Sequence, residues 1–169
     1  MALSLYDASI PVLTLGLTNL STLLDKGAAH AEAHKVDPQV FADARLIVDM
    51  LPLKRQVQIA CDTAKGAAGR LAAIEIPKHE DNEATVAELK ARIEKTLQFI
   101  GSVGPAKLAG ADGREIVLQF PQRTLRFTGI TYLTTYVLPN FYFHTTMAYA
   151  ILRQNGVDIG KLDFLGKIQ

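Results

Sequence analysis

The chain has 169 residues, 49% of them apolar and 21% charged, enough for one domain with a proper core and too apolar for a disordered segment. A formal charge of +1 gives no electrostatic case for nucleic acid or an anionic membrane as partner. The one cysteine, Cys61, excludes an intramolecular disulfide and suits a reducing compartment. No signal peptide or apolar run of transmembrane length is visible, since Asp7 interrupts the N-terminal apolar stretch, so residues 1–169 read as a single cytoplasmic domain.

Ser4 is placed to cap a first helix carrying Leu5, Ile10, Leu13, Leu17, Leu20 and Leu24, with Pro11 either kinking it or marking its true first turn. The helix can continue through the alanine-rich stretch 27–35. Asp37-Pro38 signals a second start, leading Phe41, Ala44, Arg45 and Val48 into a short helix that ends before Pro52. A long helix is predicted from Leu53 to about Ala73, and its small residues (Ala60, Ala64, Gly66, Ala67, Ala68, Gly69) let neighbouring helices come close. Residues 76–82 are polar and read as a loop. Thr85-Val-Ala-Glu88 has the capping-box pattern, and Leu89, Ile93, Leu97 and Ile100 follow as a helical stripe that stops at Gly101 and Gly104-Pro105.

Between Lys107 and Thr128 the pattern changes. Ile116, Leu118 and Phe120 alternate with other residues, and Thr124–Phe127 follows Pro121-Gln122, which predicts a β-hairpin or a short irregular excursion. Gly129 then opens a last long helix that runs to Asn155-Gly156, with Pro139 as a possible bend. Residues 157–169 show no periodicity. The expected fold is all-α, a four-helix bundle with a small hairpin or irregular insertion between the third and fourth long helices.

The last helix carries the most suggestive pair. Asn140 and His144 stand at i and i+4, one face of a helix, flanked by the apolar Val137, Phe141, Met147, Ala148 and Ile151. Buried polar groups need partners, so this face marks a candidate pocket. On the second long helix Gln58 and Asp62 share a face in the same way. The four side chains could meet across two helices as a ligand-binding cluster, or as a buried hydrogen-bond network fixing helix register, which is the favoured alternative. His30 and His34 have chelating spacing but sit at a polar helix end, where solvation is the simpler reading. His79 lies in a charged loop. Cys61 fits a packed core thiol better than a nucleophile, and Arg114, Arg123 and Arg126 read as a solvated face around the hairpin.

The run Asn140-Phe-Tyr-Phe-His144, followed by Ile151-Leu152-Arg153-Gln-Asn-Gly156, resembles the last bundle helix of the DinB/YfiT-like superfamily of bacterial metalloenzymes, in which His-x-x-x-His precedes Tyr/Ile-Leu-Arg-x-x-Gly. The stretches Leu5–Pro11 and Gln56–Lys65 resemble, over essentially the whole chain, one family of domains of unknown function within it. The resemblance implies a four-helix bundle, often dimeric, with a three-histidine divalent metal site, in a superfamily that includes thiol-dependent S-transferases and a maleylpyruvate isomerase. Only His144 matches one of the three histidines. The first position of the pair is Asn140, and the second long helix offers Gln58, or Gln56 near it, in place of the third; amides bind transition metals weakly.

Two functional classes follow. The first is a bundle with a degenerate metal site and no cofactor, binding a small molecule or a partner, and homodimeric. The second is a metal-dependent transferase or hydrolase in which His144, with Asp62 or Gln58, holds weakly bound zinc or nickel. A purely structural protein is a third class. No catalytic residue is assigned.

Overall fold

The computed structural model describes residues 3–167. Four long helices form the bundle: α1 (Ile10–Ala33), α3 (Leu53–Ala72), α4 (Val86–Gly101) and α7 (Leu138–Gln154). The short helices are α2 (Gln39–Asp43), α5 (Pro105–Leu108), α6 (Gly129–Thr131) and α8 (Lys161–Leu165), and the hairpin is β1 (Glu115–Phe120) with β2 (Arg123–Thr128). The expected bundle with an insertion between its third and fourth long helices is what the chain adopts, and the insertion is the hairpin.

Local chemistry accounts for most boundaries. Pro11 lies in the first turn of α1, where its missing N–H costs nothing, while Ser4 caps only a preceding turn by accepting the Asp7 N–H at 3.1 Å. Asp37 accepts the Gln39 N–H at 2.9 Å, as its position before Pro38 suggests. The helix it starts is shorter than expected: α2 ends at Asp43, and Val48 stands 87% exposed in the following loop, so it has no buried face to extend it. Thr85 and Glu88 form the reciprocal capping box of α4. In the hairpin, Ile116 opposes Phe127 and Leu118 opposes Leu125 on the inward face; Phe120, expected to continue that stripe, turns out at the tip beneath the Arg123 guanidinium. Residues 157–167 are not structureless: α8 docks on α1 through Lys26–Asp163 (2.6 Å) and an Asn19 side-chain N–H donated to the Phe164 carbonyl.

The segment from Gly129 to Gln154 is continuous but not uniform. Between α6 and α7, residues Tyr132–Val137 wind as a wider π-helix. Pro139 supplies the cause, because it has no N–H for the carbonyl one turn back and so breaks the α-helical ladder there. Thr134 and Thr135 bond their hydroxyls to the carbonyls of Ile130 and Thr131 along the same stretch. Close packing fixes the ends. The Phe141 ring lies where a side chain at Gly16 would be, 2.5 Å from the position of a Cβ, which brings α1 against α7. A Cβ at Gly129 would stand 2.0 Å from the Ala111 carbonyl oxygen, so only glycine lets the hairpin turn into α6. The core itself is a single cluster in which α3 is enclosed by α7, α4, α1 and α2.

Candidate functional site

The seam between α3 and α7 holds the two polar residues singled out on the last helix. His144 is 8% exposed, with Nδ1 2.7 Å from Gln56 Oε1. Gln56 donates its amide N–H to the Leu51 carbonyl at 2.9 Å, which leaves Oε1 as the acceptor. The imidazole therefore carries its proton on Nδ1 and its lone pair on Nε2. Burial holds His144 below its ordinary value of 6.5, so it is neutral at physiological pH. One turn earlier, Asn140 donates its side-chain N–H to Thr63 Oγ1 at 2.8 Å. Asn140 and His144 share a face, as their spacing requires, but each bonds a different residue of α3.

Gln58 faces the other way, and Asp62 lies to the side of the seam, about 100° around α3 from Thr63. At 3.6 residues per turn Gln58 lies about 200° around α3 from Gln56, whereas Thr63 returns to within about 20° of it. Gln58 accepts from Arg55 at 2.7 Å and donates to Glu83 at 2.8 Å; Asp62 accepts from Arg92 at 2.9 Å and lies 3.0 Å from Lys65 Nζ. The four expected side chains thus do not form one cluster: the seam uses Gln56 and Thr63 instead of Gln58 and Asp62.

The face carrying Gln58 and Asp62 is an ion network around Arg92, whose side chain is 1% exposed. Its guanidinium reaches Asp62 and Asp81 at 2.9 Å, Glu83 at 3.0 Å and the Glu80 carbonyl at 3.1 Å, and Arg55 pairs with Asp81 at 2.6 Å. Three carboxylates thus meet Arg92, Arg55 and Lys65. Burial pushes the Glu83 and Asp81 carboxyls up, but hydrogen bonds from Arg92 and Gln58 to Glu83, and from Arg55 and Arg92 to Asp81, outweigh it and hold both below the usual range. Sequence reasoning missed this network. Its signal was Arg92 itself, a charge inside the stripe Leu89-Arg92-Ile93-Thr96-Ile100, every member of which is buried.

Beyond the seam a cleft of about 290 Å³ opens between α3, β1 and the π-helical stretch. Asp62, Thr63 and Arg70 line it from α3, Val117–Phe120 from the hairpin, and Tyr132, Tyr136 and Asn140 from the last helical segment. The Tyr132 and Tyr136 rings stack at 5.8 Å and 16°, with Phe127 within 5.9 Å of both. Arg70 donates to the Tyr132 hydroxyl at 3.2 Å while lying over Gly66, where a Cβ would stand 2.4 Å from its Nη1. Burial raises the Tyr132 phenol, against the lowering influence of Arg70. Asn140 is the candidate residue that belongs to both places, as a seam rung and a wall of the cleft.

The remaining candidates fall into place. The His30 and His34 rings lie 4.1 Å apart, tilted by 31°, and His34 Nδ1 is bonded to the His30 carbonyl. Burial pushes the Cys61 thiol up to about 12, which makes it an inert core group. Arg126 pairs with Glu115 across the hairpin, and Arg114 donates to the Leu71 carbonyl. Among the described residues no three His, Cys, Asp or Glu side chains gather as a metal site. His144 with the amides of Gln56 and Asn140, one already bonded to it and the other to Thr63, does not fit a three-histidine centre.

Four long helices, a hairpin before the last of them, and an i, i+4 polar pair facing the second define a DinB-type bundle. Residues 5–165 match the family described as Domain of unknown function (DUF1993), and the chain belongs to that family. The crystal structure of a DinB family member protein from Shewanella denitrificans is 42% identical, covers 97% of this chain and 93% of its own, and superposes with a TM-score of 0.89. No curated protein matches the chain.

Two outcomes follow from these contacts. Arg92→Met removes the cation that three carboxylates share, and should lower stability by about 3 kcal/mol or more in chemical denaturation; a loss under about 1 kcal/mol would show that the network is solvated. For His144 the native value lies below the unfolded 6.5, so the unfolded chain binds the extra proton and stability falls as pH drops below 6.5. His79 is also lowered, by burial and then by Lys65 and Arg92, and acts in the same direction. His144→Gln should flatten part of that acid slope, measured as unfolding free energy against pH.

Proposed function

We propose that this protein is a DinB-like bundle with a degenerate metal site that works without tightly bound metal, as a cytoplasmic small-molecule-binding protein. Its ligand sits in the cleft beside Asn140, between α3, the hairpin and the π-helical stretch. The observation that carries this reading is the 2.7 Å bond from His144 Nδ1–H to Gln56 Oε1. It sets an amide, a weak ligand for transition metals, beside the one superfamily histidine present. A cleft with stacked tyrosines, an arginine and an amide supports the binding role, since ligand sites combine apolar or aromatic walls with a few fixed polar groups.

A second reading, a divalent-metal-dependent transferase or hydrolase, rests on the His144 Nε2 lone pair, which the Gln56 bond leaves unprotonated. It requires zinc or nickel held by further ligands, and among the described residues no three His, Cys, Asp or Glu side chains gather around that atom. Elemental analysis of untagged protein separates the two. The first reading expects far less than one zinc or nickel per chain, and His144→Ala should cost about 1–3 kcal/mol of stability whether or not metal is added. Near-stoichiometric metal that disappears in His144→Ala, with the fold retained, would reverse the preference.

The working form is a homodimer. Leu15 (50% exposed), Tyr142 (42%), Phe143 (51%) and Leu165 (37%) are large apolar side chains exposed on α1, α7 and α8, and Leu15, Tyr142 and Leu165 border one shallow groove with Val12 and Phe164. An apolar patch of this kind supports self-association. Light scattering should give twice the chain mass, and Leu15→Glu should halve it; a monomer at all concentrations would refute this arrangement.

A further inference from the structure

We propose that the cleft takes a small planar aromatic carboxylate, its carboxyl group on Arg70 and its ring against Tyr136. The inference rests on the reading of the cleft as a binding site and adds the chemistry of the ligand.

Arg70 is the first reason. Arg55 and Arg92, the other arginines of the α3–α4 side, are matched with carboxylates. Arg70 is matched with none among the described residues; its bond is a single N–H to the Tyr132 hydroxyl. A guanidinium has five N–H donors in a planar fork suited to a carboxylate. Tyr132 spends one of them and fixes the plane, and Gly66 leaves the space in which the group lies. The cation is half-buried and held in place, with most of its donors unspent.

The walls supply the rest of the selection. Tyr136 is half-buried and lines the cleft, with Tyr132 stacked behind it. An aromatic ring there gains offset-stacking energy that a saturated ring does not. A volume of about 290 Å³ accepts one ring with small substituents. Charge sets the direction. Asp62 lines the same cleft eight residues earlier on α3, about 12 Å along the helix. Its carboxylate, although paired with Arg92 and Lys65, keeps the anionic end of a ligand at Arg70. Asn140, whose N–H is given to Thr63, offers its side-chain oxygen to a donor on the far side of the ring.

Benzoate, benzamide and cyclohexanecarboxylate are suitable probes, titrated into isotope-labelled protein and followed by amide chemical shifts. Benzoate should shift amides around Arg70, Tyr136 and Asn140, and bind at least about tenfold more tightly than benzamide, which has its shape without its charge, or cyclohexanecarboxylate, which has its charge without its π-face. Arg70→Gln should weaken benzoate by a similar factor and leave benzamide unchanged. Gly66→Ala should also weaken benzoate, because it keeps the charge and displaces the guanidinium; should it fail to fold, Arg70→Gln decides alone. Equal binding of benzoate and benzamide, or wild-type benzoate affinity in Arg70→Gln, would overturn the carboxylate anchor while leaving the cleft as a binding site. Benzoate and cyclohexanecarboxylate binding equally would overturn the stacking. If none of the probes shifts a cleft amide, both the ligand class and the binding reading fail.

Discussion

The burial of α3 on nearly every side governs the rest of this structure. Of its 20 residues 14 are buried, and those include Gln56, Gln58, Thr63 and Lys65. A helix so enclosed cannot leave polar side chains to water, and an unpaired polar group in a core costs a few kcal/mol. Each of them must find a partner on whichever element faces it. Gln56 and Thr63 meet α7, while Gln58, Asp62 and Lys65 meet one another, α4 and the α3–α4 loop. Small residues make this enclosure possible, since Ala60, Ala64, Gly66, Ala67, Ala68 and Gly69 are all buried along the helix. The polar pattern of one helix thereby selects its neighbours.

The two polar faces of α3 do different work. On the α7 side the contacts are neutral, two hydrogen bonds one turn apart on α7, and they set the register of one helix against the other. On the α4 side they are ionic. Burying the Arg92 guanidinium costs several kcal/mol by itself, and the attraction of three carboxylates offsets that only because the geometry is close and balanced. Asp81 and Glu83 come from the polar loop before α4, so the network fastens that loop across the ends of two helices. Its value is better understood as specificity than as net stability, because an apolar set of the same shape would avoid the desolvation altogether.

Those two faces also explain what the sequence could and could not disclose. Where a signal is local, it was legible: the Thr85–Glu88 capping box, the Pro11 first turn, the hairpin around Pro121-Gln122 and the breaks at Gly101 and Gly104 all correspond to the structure. The choice between Gln56 and Gln58 was not, because both are buried, and only the helices packed on either side of α3 decide which one meets α7. The Arg92 network was illegible for a related reason. Its partners Asp81 and Glu83 lie in a loop with no periodicity, and only tertiary contact brings them to α4. The same holds for α8, whose docking on α1 depends on Asn19 and Lys26 far away in the chain. Asn140 and His144 were found as a pair because a helix fixes their common face; their separate partners belong to the opposing helix.

The seam and the cleft are not independent features. The Asn140–Thr63 bond is a rung of the seam and part of the cleft wall, so the register set by Gln56 and His144 also places the floor of the cleft. Its other wall depends on Pro139, whose missing N–H accompanies the π-helical turns that carry Tyr132 and Tyr136 toward the hairpin. Gln56 opposite His144 makes a hydrogen bond across the seam, which ties the two helices together. What the pair then offers is a rigid base for the aromatic cleft beside it. A change at Gln56 or His144 would accordingly be felt at Arg70 and Tyr136 as a shift in geometry, although neither seam residue lines the cleft.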